Sequence, residues 1–182
     1  MRQLRAVCVL AILLAFGVSG KAELIYGLTN PNSLMSFDSA TPATGTPQLA
    51  ITGLQAGDSL VAIDVRPLNG VLYGLGNLSN LYIINPVSGV ATQVGSHGGF
   101  SLNGTSFGFD FNPVTDRIRV VSNTGQNLRL NPDTGVLAGA DPNVAYAAGD
   151  PNNGATPNIE GAAYSNNSWA PEVRRCMTST RR

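Results

Sequence analysis

A gap-free internal repeat constrains this chain more than any other feature of its sequence. "LVAIDVRPLNGVLYGLGNLSNLYIINPVSGV" superimposes on "SFGFDFNPVTDRIRVVSNTGQNLRLNPDTGV", with Asp64 on Asp110, Pro67 on Pro113, Asn85 on Asn131 and Gly89 on Gly135, each 46 residues apart. An earlier copy, "LIYGLTNPNSLMSFDSATPATGT", aligns Tyr26 with Tyr73 and Leu34 with Leu81, and a later one opens at "NIEGAAYSNN". Within each unit, short runs rich in Val, Ile, Leu, Tyr and Phe are closed by Asn, Pro and Gly, which predicts strands rather than helices. Four strands in 46 residues lie between the repeat lengths of the common propeller blades. The expected fold is therefore all-β, built from four-stranded propeller-like blades. About three to three and a half such blades fit into residues 23–168. A blade cannot bury both faces alone, so a closed ring needs at least about four of them.

The first 22 residues read as a Sec-type signal peptide: Arg2 and Arg5, the apolar run "AVCVLAILLAFGV", then small residues offering cleavage after Gly20 or Ala22. Export to the cell surface or beyond is the resulting expectation. From Glu23 to Ser168, ten acids stand against Arg66, Arg117, Arg119 and Arg129, a net charge of −6 without a single lysine. Such a surface repels nucleic acid and anionic membranes, which removes both as partners. The same segment has no cysteine, so stability must come from a core rather than from disulfides.

The end of the chain reads differently. Residues 169–182 hold four arginines, the only Trp and Cys176, where the fourth copy should continue with a strand such as "LYGL" or "LYII". A two-base frame shift restores the pattern. The single codons of Trp169 and Met177 then force a Gly and an Asp, and permitted codons elsewhere read G-A-R-G-T-T-L-Y-D-I-D-S-A. The expectation is a frameshifted tail on a truncated repeat domain, whose unpaired last blade edge favours a loosely folded or associating product.

"LVAIDVRPLNGVLYGLG", "GTSFGFDFNPVTDRIRVVSNTGQNLRLNPDTG" and "AYAAGD" closely resemble an uncharacterised family of exported bacterial proteins, domain of unknown function family 4394. The family is grouped with the β-propellers, and the resemblance covers Leu24 to Asn167. It implies a propeller fold and export. Many members carry a C-terminal PEP-CTERM surface-sorting segment, to which nothing in this sequence corresponds. No established activity comes with the family, so no catalytic residue is carried over.

Several residues remain as candidates for chemistry. "GTSFG", Gly104 to Gly108, matches a nucleophile elbow by letters, but the alternating "FGFDFN" after Ser106 is a strand where the elbow needs a helix. Its expected role is a strand entrance. His97, the only histidine, cannot supply a zinc site alone and is expected in an exposed loop. Asp64 and Asp110 share one position of the first strand in consecutive units, where a ring of carboxylates could hold calcium or a polar ligand. The competing expectation is that each accepts backbone N–H groups from the following turn. Asp141 and Asp150 lie in "DPNVAYAAGDPNNGATPNIEG", which is acidic but out of EF-hand register, so a polar loop is expected. Asp116, Arg117, Arg119 and Arg129 form an anion-binding patch or, with stronger support, an ion-pair network between blades, with Asp133 pairing one of these arginines.

The function expected from these features is non-catalytic: an exported propeller serving as a binding or structural module at the bacterial surface or matrix, with an unidentified surface ligand. The alternative is a metal-assisted propeller hydrolase or lactonase with its site in a central channel. No cofactor is required by the first reading, calcium being the one candidate ion. A ring closed within one chain would be monomeric.

Overall fold

The structure, a computed structural model, describes residues 22–29 and 32–165. The signal segment, up to residue 21, and the segment 169–182 lie outside the described residues. Eleven strands and no helix occur among the described residues. They form three antiparallel sheets.

The first sheet holds β1 (Leu24–Thr29), β2 (Ser33–Asp38) and the two-residue β3 (Leu49–Ala50), in that order. The second is a four-stranded meander of β4 (Leu60–Val65), β5 (Leu72–Gly76), β6 (Leu81–Ile84) and β7 (Ala91–Val94). The third repeats it with β8 (Phe107–Asn112), β9 (Arg117–Ser122), β10 (Asn127–Leu130) and β11 (Leu137–Ala140). The register repeats as well. Asp64 lies opposite Tyr73 in the second sheet, and Asp110 lies opposite Arg119, which takes the place of Tyr73 in the third.

The turns explain why the strands end where they do. Asn112 Oδ1 accepts the N–H groups of Val114 and Thr115, and Asn85 Oδ1 accepts those of Val87 and Ser88. These side-chain caps reverse the chain after each Asn-Pro pair. Gly89 and Gly135 follow with φ of 74° and 67°, a left-handed backbone that glycine adopts without cost.

Strand alternation sends neighbouring side chains to opposite faces. In β5, Leu72 joins Leu34, Ile51, Leu60, Tyr82 and Ile84 in a core between the first and second sheets. Tyr73 and Leu75 point the other way, into a second core with Phe109, Phe111, Ile118, Val120 and Leu130. The Tyr73 and Phe111 rings meet edge to face, with centroids 5.2 Å apart. Burial on both faces makes β5 apolar along its whole length. Gly74 is required there: a Cβ would lie 2.8 Å from Ile84 Cδ1 and 3.0 Å from Leu60 Cδ2.

Residues 157–164, where the fourth copy opens in the sequence, belong to none of the three sheets. They run beside β8. A Cβ on Gly108 would come within 2.6 Å of the Ala162 nitrogen and of the Gly161 carbonyl carbon, so a glycine at 108 is what lets the two backbones approach.

Candidate functional site

The two repeated aspartates stand on adjacent first strands, and their bonds run from one unit to the next. Phe111 N–H donates to Asp64 Oδ2 at 2.8 Å, while Val65 N–H donates to Asp64 Oδ1 at 2.8 Å. One step along, Tyr164 N–H donates to Asp110 Oδ2. Asp64 thus holds the first strand of the following unit, and Asp110 holds the segment that follows the third sheet. Only the Val65 contact fits the expectation of a local partner; the other two are long-range. Burial is the main reason why the Asp64 carboxyl is pushed up to about 7, and the neighbouring Asp110 carboxylate, within hydrogen-bonding reach, raises it further. The pair therefore keeps a proton well above the usual carboxylate range.

A second link joins the same two units through an arginine that sequence reasoning passed over. Arg66 is buried, and its guanidinium forks onto two aspartates of the third sheet's turns. Nε donates to Asp116 Oδ1 at 2.8 Å and Nη2 to Asp116 Oδ2; Nη1 donates to Asp133 Oδ1 at 2.6 Å. Asp133 accordingly pairs with Arg66, correcting its expected assignment to Arg117, Arg119 or Arg129. The hydrogen bond from Arg66 holds the Asp133 carboxyl below its ordinary range. Asp116 also carries a φ of 52°, at the turn position where the preceding unit has Gly70 and the Asn-Pro turns have Gly89 and Gly135.

The remaining arginines separate. Arg117 Nη1 donates to the carbonyl of Asp116 at 2.8 Å. Arg119 reaches Asp141 Oδ2, Asn127 Oδ1 at 2.7 Å and the Tyr164 hydroxyl at 3.2 Å, and Arg129 meets the other Asp141 oxygen at 2.9 Å. Asp141 is thus held between two cations, and its carboxyl is lowered by the Arg119 hydrogen bond first and by Arg129 second. Asp150 stands apart, accepting the N–H of Asn152 at 2.8 Å in its own loop turn. Of the four carboxylate candidates, only Asp64 and Asp110 come together. Among the described residues no group of three or more His, Cys, Asp or Glu is arranged to hold a metal ion.

Asp58 is a further buried hub. Asn80 Nδ2 and the Tyr82 hydroxyl donate to its Oδ2 at 2.7 Å each, and the N–H groups of Leu78 and Ser59 donate to its Oδ1 at 2.9 and 3.0 Å. Its signal in the sequence is Gly76, where a Cβ would sit 2.3 Å from Asp58 Oδ2. His97 lies on the exposed rim of this hub, with Nδ1 3.0 Å from Asn80 Oδ1. Ser106 directly precedes β8, bonded to Asn123 through its backbone at 3.1 Å, so Gly104 to Gly108 form a strand entrance.

Repeated sheets tied to one another by side chains at fixed repeat positions define an all-β repeat protein. The family model described as "Domain of unknown function (DUF4394)" matches residues 33–177, and the chain belongs to that family. No curated protein matches it.

Proposed function

We propose that the chain is a non-catalytic β-propeller module, exported and acting in binding or structure at the bacterial surface or in the surrounding matrix. The observation that carries this reading is where the polar candidates are spent. Asp64, Asp110, Arg66, Asp116 and Asp133 all act between one unit and the next. These are the contacts that a stack of blades needs, because each blade contacts only its neighbours. The first strands, β4 and β8, lie next to each other, as innermost blade strands do.

The alternative, a metal-assisted hydrolase or lactonase, draws on one observation, the proton-holding Asp64 and Asp110 pair. A divalent ion could replace that proton. The test is a paired screen of the purified chain: binding to extracellular polysaccharides and cell-wall fractions, and turnover of ester and lactone substrates with and without calcium. Saturable binding without turnover is expected. Calcium-dependent turnover that disappears in Asp110→Asn would replace this reading with the enzymatic one.

A further inference from the structure

The first sheet lacks what the segment 157–164 could give it. Tyr26 occupies the repeat position of Tyr73 and Arg119, so β1 corresponds to β5 and β9, each of which pairs with a first strand, β4 or β8. Among the described residues β1 has no such partner, and it forms the edge of its sheet. Leu24 and Ile25 are 61% and 39% exposed there. At the other end, residues 157–164 stand beside β8 as β8 stands beside β4, held by the bond from Tyr164 N–H to Asp110. Among the described residues this segment takes the place of a first strand, with no second, third or fourth strand after it.

We propose that these ends complete each other between two copies of the chain, the segment Asn158–Tyr164 of one copy pairing antiparallel with β1 of the other. The register follows from the repeat. Phe111 pairs with Ile118 and Asp110 with Arg119, so Tyr164 is placed opposite Ile25 and Ala163 opposite Tyr26 of the second copy. Amides alternate sides along an extended strand. With the Tyr164 N–H directed at Asp110, that of Ala163 would, in such a strand, face the opposite edge, where β1 would lie. The Val65 N–H is compatible with this placement. It holds the position of the Phe111 N–H, which the preceding unit's aspartate accepts, but Val65 turns to its own Asp64. A preceding first strand with Ala163 in the aspartate's place has no carboxylate to offer, so docking would leave this local bond intact.

Two such contacts related by a two-fold axis close on themselves, leaving neither β1 nor residues 157–164 unpaired. The expectation of a monomer applied to a ring closed within one chain; here two chains share the closure. The proposal rests on the blade reading above but not on any ligand, so a failed binding screen leaves it standing.

The test is light scattering coupled to size exclusion on the purified chain, with a disulfide trap. A species of twice the single-chain mass is expected. Ala163→Pro, which removes the edge-facing amide and fixes φ at 163, should shift it to a monomer that retains a cooperative melt. Tyr26→Cys with Ala163→Cys, in a Cys8→Ser, Cys176→Ser background, should give a covalent dimer on a non-reducing gel. A monomer at every concentration, a link formed within one chain, or an open ladder of oligomers would overturn the proposal.

Discussion

Asp116 departs from its repeat twice over, in residue type and in what its backbone costs. A left-handed φ of 52° costs a non-glycine residue about 1 kcal/mol, yet glycine there would leave Arg66, which is buried, with one carboxylate fewer. Asp116→Gly is expected to lower the unfolding free energy by about 1–2 kcal/mol, the lost ion pair outweighing the relieved backbone; chemical denaturation measures it, and a stabilised variant would contradict the assignment. Asp58→Ala strips the acceptor from Asn80, Tyr82 and Leu78 at once. A loss of about 3 kcal/mol is expected by the same measurement. For Asp64 the sign runs toward acid. Its folded value near 7 lies above the ordinary 3.8, so its protonated form adds stability in full below about pH 4, and that contribution is lost as pH rises through 7. The melting temperature should fall by about 3–6 °C between pH 5 and pH 8, after allowing for partial exposure of the group, and Asp64→Asn should flatten the slope. Asp133 and Asp141, both lowered, act in the opposite sense, and only below about pH 4.

At the scale of elements, the strands were legible because the chemistry that makes them repeats in the sequence. The 46-residue offset placed Asp64 and Asp110 on equivalent first strands, and β4 and β8 stand there. What the repeat hid was the partner of each side chain. Equivalence of positions within a unit says nothing about distance between units, so the hold of Asp64 on Phe111 N–H and that of Arg66 on Asp116 and Asp133 went unread. A signal for the second existed: Arg66 replaces the turn asparagine of the next copy, and Asp116 replaces a glycine. Two departures from a repeat at facing turns point to a contact. Gly108 carries an element-scale prediction. A Cβ there would press on the backbone of residues 161 and 162 and on the Val121 side chain of β9, so Gly108→Val should displace that segment and increase amide exchange at Tyr164 while leaving β10 protected. Unchanged exchange at Tyr164 would contradict the close approach of the two strands.

At the scale of the molecule, three antiparallel sheets are joined through two apolar cores, and a line of carboxylates runs from β4 to β8 and on to the segment 157–164. Sheets that contact only their neighbours gain stability one interface at a time. The side chains that bridge those interfaces are therefore the ones whose loss should be felt throughout the fold. The central claim is that Asp64 and Asp110 hold the units together rather than hold a metal. Thermal melting of the parent and of Asp110→Asn, each with and without added calcium, tests it most directly. Asp110→Asn should melt lower by the same amount in both conditions, calcium leaving each protein unmoved. Stabilisation by calcium in the parent that is absent from the variant would make the pair an ion site and contradict the claim.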